Sequence, residues 1–312
     1  MRRLLLLIFL TVSIIAGADD YIAEKDDIWQ LAYSNDGKHI AVIEFCGLIK
    51  IQDSTTFDIV KSFNGNKMAV QQIIFSPDDL YIAVCTDEIF IFEIETGNII
   101  SRLTPKSNNH LTSISYRFDG QRIVSGSREG LISVWDTINE VEIMTLNNPR
   151  RWVTNVSYST DGNKILSVYG GNSITIWDAN SGAPLKTLTD QNVLTTHAFA
   201  VYNHDGTKIL VSYWNHKAGF VTIDIYDSNN YELLYSNNIE SRSIIIEWAC
   251  FLFDSNNIIL YSYSYKRLII MEYTNGSVIH SVDFDDNIVL SSDGKNVLYV
   301  KNRKNMEILT LN

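Results

Sequence analysis

The chain has 312 residues, a formal net charge of −11, 46% hydrophobic residues and only four prolines. Such an acidic chain is not expected to bind nucleic acid or an anionic membrane through its whole surface, and its apolar content suffices to bury a large core. Cys46, Cys85 and Cys250 have no close spacing, and a chain of this length does not need disulfides for stability. We expect free thiols, with a Cys46–Cys85 pair left open.

The first eighteen residues have the pattern of a signal peptide. Arg2 and Arg3 precede an apolar run that ends at Ile15, and three small residues follow, ending at Ala18. The run is too short to cross a bilayer, and the small residues suit cleavage after Ala18. We therefore expect a secreted protein or one of the secretory pathway. The alternative is a cytoplasmic protein whose N-terminal segment is not a signal. No later segment is long and apolar enough to span a membrane.

Seven short turn signals, each with an aspartate, recur along the chain at intervals of 39 to 49 residues. The aspartates are Asp36, Asp78, Asp119, Asp161, Asp205, Asp254 and Asp293. The Asp-Gly pair that most of them contain suits a tight hairpin, and the flanking segments alternate between apolar and polar residues as strands do. Each unit is therefore predicted to form four short strands. An all-β array with this period predicts one seven-bladed β-propeller over residues 19–312.

Two segments carry the signature of a known family. SGSREGLISVWD (Ser125 to Asp136) and NSITIWD (Asn172 to Asp178) resemble the third strand of WD repeats, which is named after its Trp-Asp pair. The signature is blurred in the other units. The resemblance implies a WD-repeat propeller that binds other molecules and does not catalyse a reaction.

The family also has a hydrogen-bonded tetrad of His, Ser or Thr, Asp and Trp within a blade. The third unit keeps Ser125 and Trp135 and has Glu129 near the turn position, but it lacks the expected histidine. The resemblance further implies that the outermost strand of the last blade comes from the beginning of the chain, a position that Tyr21–Lys25 can fill. Such closure removes exposed strand edges.

The loops divide the charges between two faces. The top face carries the loops that lead into each first strand and those that join second to third strands; the bottom face carries the other loops. Acids dominate the bottom face, whereas aromatic residues stand beside cations on the top face, and Trp, Tyr and Arg are typical of binding hot spots. The predicted partner-binding residues are Arg128, Arg150, Arg151, Trp152, Tyr169, Trp214, Lys217, Tyr265, Lys266 and Arg267.

These residues suit an anionic or mixed-charge partner, either an acidic peptide or protein or a sugar, and the protein is expected to be a monomer. The histidines are scattered, and no GxSxG, HExxH, CxxC or phosphate-binding loop occurs. We expect no catalytic residues, no metal and no cofactor. The alternatives are a secreted propeller enzyme, similar to lactonases or dehydrogenases, and a glycan-binding propeller.

Two N-glycosylation sequons are present. Asn155 falls within a predicted first strand, whereas Asn275 falls in a predicted hairpin loop. Because an acceptor must be accessible, Asn275 is the predicted site if the host glycosylates proteins.

Overall fold

The protein is composed of strands and turns. The computed structural model describes residues 26–65, 70–106, 109–147, 152–170, 173–188, 198–215, 220–240, 248–252, 256–262, 267–283, 288–291, 296–301 and 304–310. Within these residues the chain forms 27 strands in seven antiparallel sheets. The predicted all-β, seven-bladed propeller is confirmed.

Each of the first four blades pairs four consecutive strands in chain order. These strands are β1 (Ile28–Tyr33), β2 (His39–Glu44), β3 (Leu48–Asp53), β4 (Ile59–Asn64), β5 (Gln72–Phe75), β6 (Tyr81–Cys85), β7 (Ile89–Glu93), β8 (Ile99–Leu103), β9 (Leu111–Tyr116), β10 (Arg122–Ser127), β11 (Leu131–Asp136), β12 (Val141–Asn147), β13 (Val153–Tyr158), β14 (Lys164–Tyr169), β15 (Ser173–Asp178) and β16 (Pro184–Thr187).

The same order continues in the last three blades. Their strands are β17 (Ala198–Tyr202), β18 (Lys208–Asn215), β19 (Phe220–Asp227), β20 (Leu233–Glu240), β21 (Trp248–Phe251), β22 (Asn257–Ser262), β23 (Arg267–Glu272), β24 (Ser277–Asp283), β25 (Ile288–Leu290), β26 (Asn296–Lys301) and β27 (Asn305–Thr310).

The core consists of apolar layers between neighbouring blades. The second strands are buried along almost their whole length, as in β6 and β14, because another blade covers each face of the sheet. Such strands are continuous apolar runs such as Ile82–Cys85. The outer strands β4 and β16 have neighbours on fewer sides and are mostly exposed. In these blades the outer strand is therefore the most exposed of the four.

The ring closes through contact between blades seven and one. Val289, Leu298 and Val300 pack in one cluster with Ile28 and Leu31 of blade one. Blade seven has three strands among the described residues. The predicted closing strand, Tyr21–Lys25, lies outside the described residues, as does the predicted signal peptide at residues 1–18.

The turns between first and second strands repeat one design. In blade four, the Ser159 hydroxyl donates to the Asp161 carboxylate at 2.6 Å, and Asp161 accepts the backbone N–H of Asn163 at 3.0 Å. Gly162 follows with φ of +68°, a backbone conformation that glycine adopts without steric cost. The Asp-Gly pairs in the sequence therefore mark hairpin turns, as predicted.

The three cysteines are free thiols, as expected. Cys85 and Cys250 are buried, and burial raises the pKa of both thiols, which lowers their reactivity. Cys46 is partly exposed, and its Sγ lies 3.7 Å from Glu44. The part of the chain that the structure describes has no helix long and apolar enough to span a membrane.

Candidate functional site

Hydrogen bonds within blade three, and from blade three to blade four, order the top face of these two blades. The Arg128 backbone N–H donates to the His110 carbonyl at 2.9 Å, which joins the loop after β10 to the loop before β9. In β9, two residues after His110, the Thr112 hydroxyl donates to the carbonyl of Val153, the first residue of β13 in blade four, at 2.8 Å. These bonds bring Arg128 and Trp152 to one end of two adjacent blades.

Trp152 is the most exposed aromatic side chain of the described residues, at 58%. Its carbonyl accepts the Gly170 N–H at 2.9 Å, and its ring lies against Gly170 so closely that a Cβ there would come within 2.2 Å of the indole nitrogen. No real Cβ tolerates that distance. The lack of a side chain at Gly170 therefore lets the ring pack against the backbone there, and one side of the indole faces solvent.

A second exposed aromatic lies on the same face of blade one. Phe45, in the turn between β2 and β3, is 49% exposed, and its ring centroid lies 5.6 Å from that of Trp29. Trp29 donates its indole N–H to the Val70 carbonyl at 2.6 Å, which anchors the pair to blade two. Phe45 has no cation beside it in the sequence and was therefore not among the predicted partner-binding residues. An aromatic residue in a short turn was the available signal.

Besides Trp152, the structure describes four of the predicted partner-binding residues: Arg128, Arg267, Trp214 and, discussed below, Tyr169. Arg128 is exposed in the turn after β10, and Arg267 is exposed at the start of β23. Trp214, in β18, is only partly exposed and packs against the core between blades five and six. Arg150, Arg151, Lys217, Tyr265 and Lys266 lie outside the described residues.

The expectation that Tyr169 contacts a partner is wrong. Tyr169 has no solvent-exposed surface and packs in the core between blades three and four. Burial raises the pKa of Tyr169 to about 12. The residue is the last of β14, and the neighbouring blade covers the strand up to that end.

Blades three and four contain parts of the tetrad. The indole nitrogen of Trp135 donates to the Ser125 hydroxyl at 2.8 Å, and Trp177 makes the same bond to Ser167 at 2.8 Å. His110, directly before β9, lies with Nδ1 3.0 Å from a Glu129 carboxylate oxygen. The His110 side chain is 61% exposed, and its described hydrogen bonds are to Glu129 and not to the buried Ser125, so the lack of the tetrad histidine in blade three stays a prediction.

The contact with His110 affects the charge of Glu129 on the top face. Burial disfavours the ionised form of Glu129, but hydrogen bonds from the His110 side chain and backbone lower the pKa of that carboxyl below its ordinary value. Glu129 therefore carries a negative charge next to the exposed Arg128. A partner of mixed charge fits this part of the surface.

Many acids of the bottom face have structural roles. Asp136 accepts the backbone N–H groups of Ile138 and Asn139 at 2.9 and 2.8 Å, and Asp178 accepts those of the equivalent turn in blade four. These hydrogen bonds hold the pKa of both carboxyls below the ordinary value. Part of the predicted charge asymmetry therefore arises from turn formation.

Asn275 occupies an exposed turn between β23 and β24, as predicted, and its side-chain carbonyl accepts the Ser277 N–H at 2.8 Å. Its glycosylation stays a prediction. In the described residues, no three His, Cys, Asp or Glu side chains come together in a group that could hold a metal ion.

Comparison with known proteins supports the same class. The family model "WD domain, G-beta repeat" matches residues 97–136 and 140–178. Each matched repeat begins just before the outer strand of one blade and ends with the third strand of the next. Among solved structures, the crystal structure of the Cps50 (Swd1) β-propeller domain of Myceliophteria thermophila is similar, with a TM-score of 0.79 and 12% identity over 93% of this chain and 98% of that chain.

Two relatives match by sequence over part of the chain. The WD repeat-containing protein WDS homolog of Arabidopsis thaliana is 28% identical over 37% of this chain. The WD repeat domain-containing protein 83 homolog of Dictyostelium discoideum is 23% identical over 36%. The alignments span 24% and 36% of the lengths of these relatives. Fold and repeats define a seven-bladed β-propeller. The chain contains two WD repeats, at residues 97–136 and 140–178, and these repeats end in blades three and four.

Proposed function

We propose that this chain is a protein-binding propeller without catalytic activity, which contacts its partner through the top face. The observation that carries the proposal is Trp152, which is 58% exposed while its ring packs against Gly170. Large exposed aromatic rings are costly in water and are the side chains that contribute most to protein interfaces. The family supports the general role, because WD-repeat propellers commonly bind proteins.

The partner is proposed to be an anionic or mixed-charge protein or peptide. Arg128 and Arg267 present exposed cations on this face, and Glu129 adds an anion beside Arg128. The cations Arg150, Arg151, Lys217 and Lys266, which lie outside the described residues, belong to the same proposal. Phe45 on blade one adds a second apolar contact across the face.

We further propose that the protein acts as a monomer in the secretory pathway or outside the cell, after loss of residues 1–18. The support is the pattern of two arginines, an apolar run and small residues at the N-terminus. The last blade would be completed by Tyr21–Lys25. Asp26 supports this closure, because its carboxylate lies 3.1 Å from the Lys304 ammonium in blade seven.

Affinity capture with matched variants tests the proposed function. Tagged wild-type protein, Trp152→Ala and Ile59→Ala are used as baits in extracellular fluid from the source organism, and bound proteins are quantified by mass spectrometry. Ile59 is 54% exposed, similar to Trp152, but lies on the outer strand β4. We expect the same partner on wild type and Ile59→Ala, and its loss on Trp152→Ala. Equal capture by all three baits would refute the role of the top face.

A further inference from the structure

A groove of about 990 Å³ opens on the bottom face, along the seam between blades two and three. Its apolar lining comes from both blades and includes Pro77, Ile91, Ile100, Tyr116, Phe118 and Ile138. Ile91 and Tyr116 belong to the buried apolar layer between blades two and three. The floor of the groove is therefore the edge of this layer at the bottom face. Ile138, in the turn before β12, is 72% exposed at the lip. The groove therefore offers apolar surface that the propeller itself leaves uncovered.

The rim of the groove is acidic. It carries five carboxylates and no Lys, Arg or His among its described lining residues; the acids are Asp36, Asp78, Asp79, Asp119 and Glu140. Two of them have a cation nearby, since Lys38 lies 2.9 Å from Asp36 and Arg117 lies 3.6 Å from Asp119. A net negative charge remains around the apolar floor. An occupant with positive charge is therefore complementary.

Two of the acids occupy backbone positions that suit glycine. Asp79 has φ of +60° at a turn position where blade four has Gly162, and Glu140 has φ of +57° where blade four has Gly182. A side chain in this region costs free energy. Phe57 and Tyr231 have the same conformation at the position of Glu140 in blades one and five, so the backbone alone does not mark the groove. Asp79 offsets the cost by accepting hydrogen bonds from Asn35 at 2.6 and 2.7 Å.

The carboxylate of Glu140 has no comparable structural partner among the described residues. This carboxylate is therefore available to a ligand at the lip of the groove.

A buried polar group in the groove also lacks a partner. Ser101, in β8, is only 6% exposed and lines the groove, and its hydroxyl has no hydrogen-bond partner within the described part of the chain. A buried hydroxyl without a partner is unfavourable, and most such groups are satisfied in native structures. A peptide backbone in the groove would supply the missing partner.

We propose that this groove binds a basic peptide segment that inserts an apolar side chain between blades two and three. The apolar side chain contacts the floor at Ile91 and Phe118, the cations pair with Glu140 and Asp78, and the peptide backbone bonds to Ser101. This site lies on the face opposite Trp152, so the propeller can hold two partners at once.

Fluorescence anisotropy with a labelled peptide of alternating Lys and Leu tests this proposal. Matched peptides of alternating Glu and Leu, and of Lys and Ser, separate charge from apolar contact. We expect the Lys-Leu peptide to bind about tenfold more tightly than either of the others, and less tightly as salt rises. Glu140→Gln and Ile138→Ser should each weaken binding about fivefold.

Two control variants remove the same charge and the same kind of side chain elsewhere. Asp58→Asn and Ile59→Ser change an exposed acid and an exposed isoleucine of blade one that do not line the groove. They should leave the affinity unchanged. If they weaken binding as much as the groove variants do, or if the Lys-Leu peptide does not bind, the proposal is wrong.

Glu140→Gly separates binding from folding. Glycine relieves the strain at φ of +57°, so this variant should melt at a higher temperature than wild type while it binds the Lys-Leu peptide less tightly. Unchanged peptide affinity in Glu140→Gly would assign the residue a role in the turn alone and would contradict the proposal.

Discussion

The indole nitrogen of Trp135 lies 2.8 Å from the Ser125 hydroxyl, between the third and second strands of blade three. Both side chains are buried, at 1% exposure. The indole fills the layer between blades two and three, and the serine satisfies its only polar group.

Ser125→Ala is expected to lower the free energy of unfolding by about 1 to 3 kcal/mol, because it leaves the buried Trp135 N–H without a partner. The measurement is chemical denaturation followed by circular dichroism. The double variant Ser125→Ala/Trp135→Phe should lose less free energy of unfolding than the two single variants lose together, because the unsatisfied indole N–H is then absent. Additive losses would show that the hydrogen bond contributes little.

Acid should destabilise the propeller through its turn aspartates. Backbone hydrogen bonds lower the pKa of Asp136 and Asp178 from the ordinary value of 3.8. Because the folded-state pKa lies below the unfolded one, the contribution of these groups is complete above pH 3.8 and is lost as pH falls through the folded value. Asp178→Asn should lower the melting temperature at neutral pH and flatten its decline in acid. An unchanged acid profile would contradict this cause.

The mature protein is predicted to begin at Asp19. Expression in a secreting host followed by N-terminal sequencing measures this directly. A start at Asp19 supports export to the secretory pathway. An intact Met1 would refute the signal peptide and would favour a cytoplasmic scaffold.

Deletion of Asp19 to Asp26 is expected to lower the melting temperature, because blade seven would lose its outer strand. Asp26→Asn is the control, since it removes only the exposed ion pair with Lys304, and pairs of this kind contribute little. The closure is wrong if the deletion variant melts at the temperature of the full mature chain.

The repeat could be predicted from the sequence because its markers are local. An Asp-Gly pair within an alternating segment, such as Asp161-Gly162, indicates a hairpin turn. Trp135 and Trp177 lie on third strands, as their motif indicates. The prediction that failed depends on contact between blades. Tyr169 is buried by the neighbouring blade, and the local sequence around it does not reveal that contact.

The groove on the bottom face has no sequence signature for the same reason. Its lining combines turns from three blades, and neither the exposure of Ile138 nor the burial of Ser101 follows from a local pattern. Asp58 is a suitable control because it is an exposed acid of the bottom face, whereas Asp53 and Asp227 accept backbone hydrogen bonds in their turns.

Partner binding by the top face is the central claim, and binding kinetics with the captured protein test it most directly. The comparison needs the wild type, Arg128→Glu, Trp152→Ala and the control Asp58→Asn, measured by surface plasmon resonance at several salt concentrations. Arg128→Glu should mainly slow association and reduce its salt dependence, because exposed charges steer the encounter. Trp152→Ala should speed dissociation by the equivalent of about 1 to 3 kcal/mol, while Asp58→Asn behaves as wild type. Loss of binding in Asp58→Asn, with Arg128→Glu and Trp152→Ala unaffected, would place the contact on the bottom face and contradict the account.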